Sequence, residues 1–250
     1  MNKKILVGCP TANFKEYALD FYILGLKNLT YTNFDLIIVD NSESNEYFNL
    51  LNKKINKETI PNAKNIYIIK DTFKEKARDR IISSRNIIRQ KVLDGNYDYF
   101  LSLEQDILPY KDMIERFLND LEKIKSGNEE GIKDLNPKII TAVYFNNQVI
   151  GIKQVLAPLI YVEHIMDNTG LMILPKHRLL DKKIISIKAC GIGCILIHRD
   201  VLEKIKFRYE GDSFDDMMFC KDAIDNNFDI YCDCSLLVEH FPGDWSSIEK

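Results

Sequence analysis

Apolar and polar positions along this chain switch between two periods. Short apolar runs read as strands, and between them apolar residues recur at helical spacing. Lys4 to Gly8 is the first run, closed by Cys9-Pro10, where the strand gives way to a loop. From about Lys15 to Lys27, Tyr17, Ala18, Phe21, Tyr22 and Leu24 follow a helical period. Asp35-Leu36-Ile37-Ile38-Val39-Asp40 has too little polarity for an edge strand and predicts a central, parallel one. Asn65 to Lys70 gives a third strand. Arg78 to Leu93 carries Ile81-Ile82, Ile87-Ile88 and Val92-Leu93 spaced by polar residues, a helix ended by Asp94-Gly95-Asn96. Tyr97 to Leu103 is a fourth strand.

This β-α-β-α-β rhythm predicts an α/β fold, an open, mostly parallel twisted sheet with helices on both faces. Ligands in such sheets bind beyond the carboxyl ends of the strands. The loops after Gly8, Val39 and Leu103 are therefore the ones expected to carry chemistry. Beyond them, Met113, Ile114, Phe117, Leu118, Leu121 and Ile124 mark a helix, and Ser126 to Asn136 is a polar connection. Lys138 to Phe145 reads as a strand, and Asn146 to Lys188 as hairpins forming a smaller variable lobe. Ile192 to Ile197 is a strand, and Asp200 with Glu203 reads as a helix cap with its acid three residues on. A helix from about Phe214 to Asn226 and a strand from Phe228 to Asp233 complete the pattern. With no internal repeat and no low-complexity tract, residues 1–250 are expected to form one domain.

Composition narrows the function classes. Hydrophobic residues at 46% and charged residues at 28% are globular values. Against 34 Lys and Arg stand 37 Asp and Glu, a net charge of -3, which argues against a nucleic-acid binder needing a basic face. No apolar run is long enough to span a bilayer. The first residues read as a strand rather than a signal peptide, so the expected location is cytoplasmic, with membrane contact at most peripheral. Six cysteines are too sparse for a disulfide scaffold, and the Cys190/Cys194 and Cys232/Cys234 spacings suit zinc poorly. Reduced, buried thiols are expected.

Three segments carry candidate chemistry. A strand ends in Glu104-Gln105-Asp106, whose acids can address one divalent cation at the rim of a sheet or serve as turn residues. Ser213-Phe214-Asp215-Asp216 has the spacing of a capping box, and an acid in a first helical turn also suits a general base. His240 follows a late strand as a candidate metal ligand. No Walker loop, Gly-x-Ser-x-Gly elbow or His-Glu-x-x-His helix is present. Gly191-Ile192-Gly193 lacks the third glycine of a dinucleotide loop and precedes a strand.

In chain order stand Cys9-Pro10-Thr11, Val39-Asp40-Asn41-Ser42, Ser84-Arg85-Asn86, Glu104-Gln105-Asp106, Gly191 to Arg199, Asp215 to Cys220, and His240. This order resembles the GT-A class of nucleotide-sugar glycosyltransferases, most closely the large family 2, over nearly the whole chain. The resemblance implies a GT-A fold with a nucleotide-binding half, 1–106, and an acceptor and catalytic half, 107–250. It implies that Pro10, Thr11, Asn13, Asp40, Arg85, Asn86, Gln105 and Gly193 line or orient the nucleotide donor. It also implies a Mn²⁺ or Mg²⁺ cofactor held by Asp106 and His240. Glu104 stands where the family has the first Asp of its metal motif, so contact with ribose or a water is as open to it as coordination. By register Asp216 is the base, with Asp215 beside it in place of the usual Glu.

The implied activity is transfer of a sugar from a nucleotide-diphosphate donor, a UDP- or GDP-sugar, to a hydroxyl of a glycan, lipid-linked or protein acceptor, with inversion. Trp245, in the tail after His240, is expected to close over the bound donor as a flap. Two alternatives share the fold. One is a non-catalytic nucleotide- or glycan-binding module. The other is a sugar-nucleotide pyrophosphorylase, for which Cys9 to Asn13 offers neither glycine nor cation.

Overall fold

The computed structural model describes residues 2–129, 132, 134–150, 153–163, 170–241 and 243. The first half follows the sequence rhythm: β1 (Ile5–Thr11), α1 (Leu19–Asn28), β2 (Phe34–Asp40), α2 (Glu46–Lys54), β3 (Ile66–Lys70), α3 (Ala77–Asp94) and β4 (Tyr99–Leu103). A short 3₁₀ helix, Asn13–Ala18, leads into α1. Then come β5 (Ile107–Leu108), α4 (Met113–Ser126), β6 (Ile139–Val143), β7 (Phe145–Ile150), β8 (Lys153–Pro158), β9 (Ile160–Glu163) and β10 (Leu171–Ile173). The chain continues through α5 (Lys176–Leu180), β11 (Ile184–Ile187), β12 (Ala189–Cys190), β13 (Cys194–His198), α6 (Arg199–Lys204), α7 (Asp215–Asp225), β14 (Ile230–Leu237) and β15 (Glu239–His240).

Eight strands form one sheet in the order β11-β14-β6-β13-β4-β1-β2-β3. β1 to β4, β6 and β14 run one way, and β13 and β11 run against them. Alternate side chains of each strand face opposite ways, so Val7, Leu36 and Leu101 pack under α1, α2 and α4 with Tyr22, Leu51 and Phe117. Leu6, Ile37 and Phe100 pack on the other face with Ile88 of α3, Val201 of α6 and Phe219 of α7. Helices on both faces explain why the strands read as unbroken apolar runs. All six cysteines are buried free thiols. Among the described residues no helix is long and apolar enough to cross a membrane.

Several local expectations are corrected. Pro10 and Thr11 are not loop residues: β1 runs on to Thr11, paired with β2 as far as Asp40. α2 has no counterpart in the sequence reading, because only Tyr47 and Leu51 of its nine residues are buried. The last strand of the variable lobe, β11, joins the main sheet at its edge against β14, while the β7–β8 hairpin and the β10-β9-β12 sheet stay apart from it. α6 is capped by the His198 ring, which accepts from Asp200 N, rather than by Asp200. Ser213 makes no capping box: Phe214 is the N-cap of α7, without a side-chain bond.

Candidate active site

The topology collects the predicted residues at one edge of the sheet. Thr11 ends β1 directly opposite Asp40 at the end of β2. Leu103 ends β4 opposite Cys194, which puts Gly193 beside Glu104. The β5–β15 pairing sets His240 opposite Ile107, one residue from Asp106.

At the centre, a turn closed by Ile107 N donating to Glu104 O turns both acids of the Glu104-Gln105-Asp106 motif onto one cation. That cation is Lys15, in the 3₁₀ helix after β1. Its Nζ donates to Glu104 Oε2 at 2.9 Å and to Asp106 Oδ1 at 3.1 Å. Gln105 is spent on the scaffold: Oε1 accepts from Thr11 Oγ1 at 2.5 Å and from Tyr47 Oη at 2.9 Å, and Nε2 donates to Lys15 O at 2.5 Å. The motif is thereby fastened to β1, α2 and the lysine that its acids hold.

A second cation flanks the first. Arg85 of α3 is buried; Nε donates to Asp215 Oδ2 at 2.6 Å, Nη2 to Glu104 Oε1 at 2.8 Å and Nη1 to Ser102 Oγ at 3.4 Å. Burial alone would raise Glu104, but Lys15 and Arg85 outweigh it and hold the carboxyl low. Asp106 is likewise penalised by burial, yet Lys15 and His240 bring it down to about 2. Burial would lower Lys15, and the two carboxylates raise it instead. Lys15, Glu104, Asp106 and Arg85 are thus charged together at neutral pH.

His240 donates from Nδ1 to Phe145 O at 2.8 Å, and its Nε2 lies 3.5 Å from Asp106 Oδ2. Tyr17 Oη donates to Phe241 O at 2.8 Å, closing the chain segment after His240 over the 3₁₀ helix. As arranged, the expected donor set does not fit a resident Mn²⁺ or Mg²⁺. Both acids are bonded to Lys15, and the ring nitrogen that would ligate is turned to Asp106. Among the described residues, no group of three or more His, Cys, Asp or Glu side chains is spaced to hold a metal ion.

Asp216 stands in the first turn of α7, next to the Asp215 that Arg85 holds. Its Oδ1 accepts from Met217 N at 2.7 Å. The half-buried carboxyl is pushed up to about 6, by desolvation first and by the Asp215 charge second, against that hydrogen bond and the Arg85 charge. The neighbouring Tyr161 hydroxyl, on β9 of the lobe, is raised by burial and by the Asp216 charge. A cavity of about 380 Å³ opens beside α7, lined by Leu171, Lys188, Ser213, Met217 and Lys221 among others.

Other expected contacts turn out to be supports. Asp40 is fully buried; Oδ1 accepts from Ser42 N and Oγ at 2.9 and 2.5 Å, and Oδ2 from Lys70 Nζ at 2.9 Å. Asn13 is exposed, and its N–H donates to Ser42 Oγ at 2.8 Å, so Asp40 orders the loop that meets Asn13. Pro10 is buried in β1 opposite Val39. Gly193 N donates to Tyr144 Oη at 3.0 Å, and Gly193 O accepts from Glu104 N at 2.8 Å. A Cβ on Gly193 would meet Tyr144 Oη at 2.9 Å, so glycine is needed for that close approach. Trp245 and the expected flap lie outside the described residues.

Asn86 points away from the cleft. Its Nδ2 donates to Phe207 O at 2.9 Å, and its Oδ1 accepts from Phe207 N at 3.1 Å. Asn86→Ala is expected to cost about 1–3 kcal/mol for these two bonds. That lowers the melting temperature by roughly 2–12 °C and leaves nucleotide affinity unchanged. Calorimetric melting alongside a binding titration checks both.

Sequence reading missed Lys15, Tyr17, Ser42, Lys70 and Tyr144. For Lys15 a signal exists: it is the first basic residue past the end of β1, two residues beyond the Cys9–Asn13 stretch that lacks a cation.

No protein-family model matches the chain, and no curated protein matches it. Solved structures do. Residues 1–349 of S. aureus TarS align over 88% of this chain and 55% of that one, at 14% identity and a TM-score of 0.51. A second S. aureus TarS structure aligns over 88% and 33%, at 13% identity and a TM-score of 0.52. A197 from STIV aligns over 96% and 86%, at 14% identity and a TM-score of 0.49. The chain spans about half the length of the shorter TarS structure and a third of the longer. The likeness to TarS, together with the sheet order, gives this chain a glycosyltransferase-like α/β fold of the GT-A type.

Proposed function

We propose that the chain is a glycosyltransferase moving a sugar from a nucleotide-diphosphate donor, a UDP- or GDP-sugar, to a hydroxyl of a glycan, lipid-linked or protein acceptor. The observation that carries this reading is Asp216, a half-buried carboxyl pushed up to about 6 at the strand-end edge of a GT-A sheet. A base for an alcohol works best when it is ionised at neutral pH yet keeps the highest basicity consistent with that. Asp216 meets both conditions.

In a single displacement, the acceptor oxygen attacks the anomeric carbon while Asp216 takes its proton. The bond from that carbon to the diphosphate breaks, its electron pair leaves with the diphosphate, and the anomeric centre inverts. Asp215, tied to Arg85, fixes the first turn of α7 and so the place of its neighbour. The loop that Asp40 and Ser42 order beside Asn13 is where the base and ribose are held. The acceptor sits on the lobe side of Asp216, where Tyr161 of β9 is its neighbour.

The test is a thermal-shift panel of UDP, GDP, CDP, dTDP and ADP, each with chelator and with manganese. One diphosphate at 100 times its dissociation constant stabilises by about 2.7 kcal/mol. That is a rise of roughly 5–10 °C at this chain length. The same absence of shift with all five would sink the reading.

A further inference from the structure

We infer that Lys15 takes the seat of the divalent cation, so that this protein meets the charge of its donor's diphosphate with an ammonium group and holds no metal there. Three observations lead to it. First, Lys15 Nζ lies 2.9 Å from Glu104 and 3.1 Å from Asp106, bonded to both acids of the motif that would ligate a metal. Secondly, the lysine is anchored: its N–H donates to Ala12 O at 2.9 Å and its carbonyl accepts from Gln105, the residue between the two acids. Its side chain is 7% exposed, so the ammonium is a part of the wall and not a surface group folded inward. Thirdly, a second fixed cation stands beside the first: Arg85 Nη2 donates to Glu104 Oε1 at 2.8 Å, so Glu104 is held from two sides, while His240 Nε2 lies 3.5 Å from Asp106 Oδ2.

A divalent ion entering this seat meets two fixed cations a few ångströms away, and it has to evict an ammonium that two carboxylates hold. Like charges so close in a partly dry site repel strongly. An ammonium can do the same electrostatic work for a departing diphosphate, as a point charge with several donors. The metal part of this inference stands on the chain's own geometry, and the diphosphate part rests on the proposed function.

The experiment titrates Mn²⁺ alone, without nucleotide, into the wild-type protein, Lys15→Ala, Lys15→Arg, Asp106→Asn and Lys15→Ala/Asp106→Asn, following free Mn²⁺ by electron paramagnetic resonance. The wild type and Lys15→Arg are expected to take up no stoichiometric Mn²⁺. Lys15→Ala should gain one site at least about tenfold tighter than any in the wild type, and the added Asp106→Asn should abolish it. The melting temperature of Lys15→Ala, with both acids deprived of the lysine they share, should rise with Mn²⁺ while that of the wild type does not. A wild-type protein that binds one Mn²⁺ and loses it in Asp106→Asn overturns the inference, whether or not Lys15→Ala folds.

Nucleotide binding separates this inference from the function. If one diphosphate shifts the wild-type melt equally with chelator and with manganese, and Lys15→Ala in chelator loses at least about tenfold in affinity, both stand. If that shift needs manganese, Lys15 does not replace the cation. If no diphosphate binds under any condition, the transferase reading falls, and the Mn²⁺ titration still decides who occupies the seat.

Discussion

Asp216→Asn is expected to lower the rate of sugar transfer, or of donor hydrolysis in the absence of acceptor, by about 10²- to 10⁴-fold while nucleotide affinity is kept. The substitution is close to isosteric, and Asn Oδ1 can still accept from Met217 N, so the first turn of α7 has no reason to move. What is lost is the proton acceptor. The wild-type pH profile should rise to a plateau with its midpoint near the Asp216 value of about 6, because the base works only when ionised. Linkage gives a second signature. A folded-state pKa raised above the unfolded one favours folding fully below the unfolded value, and that advantage is lost as pH rises through about 6. Above that pH the wild type carries a partly desolvated charge that Asn lacks, so the variant should melt no lower than the wild type at pH 7 to 8. A residue that is costly to the fold and needed for turnover is the pattern of an active-site base. If the variant turns over as the wild type does, Asp216 is a helix-start acid and not the base.

Much of the scaffold was readable because burial on both faces writes a strand plainly. Val39 and its neighbours had to be apolar throughout, and the helix from Ala77 to Asp94 showed its paired isoleucines and its glycine stop. The edge where chemistry collects followed from strand direction alone. What escaped were features that only tertiary contact defines. A lysine such as Lys15 reads as surface until two acids ninety residues away fold onto it. Asn86 and Gly193 belong to motif-like strings, yet their polar groups face Phe207 and Tyr144. Ser213 and Asp216 have capping-box spacing, but Ser213 does not cap α7, and desolvation and the Asp215 charge raise the Asp216 carboxyl against the bond it accepts from Met217 N. α2 went unread because its apolar period, with Tyr47 and Leu51 as the buried pair, runs over only nine residues.

The largest loss of stability is expected from Arg85→Met. The side chain is 5% exposed and its two carboxylate partners, Glu104 and Asp215, are 24% and 14% exposed, so none of the three is well screened by solvent. Methionine fills the stem's volume but leaves Asp215 without its ion-pair partner and Glu104 with Lys15 alone. Removing one member of a buried ion pair costs about 3–5 kcal/mol, since the charge left behind has paid its desolvation and lost its return. At this chain length that is a fall of roughly 6–20 °C in melting temperature. Arg85→Lys should recover only part of it, because an ammonium cannot reach Asp215, Glu104 and Ser102 at once as the guanidinium fork does. The loss should be felt in catalysis as well. Arg85 ties α7 to the end of β4, and with Asp215 released the first turn that carries Asp216 is no longer fixed against the acids held by Lys15. Lower turnover from donor at saturating nucleotide-sugar, measured below the variant's melting range, is the expected accompaniment. An Arg85→Met protein that melts with the wild type would mean that Lys15 and solvent satisfy both carboxylates, and the fixed geometry derived for Asp216 would lose its anchor.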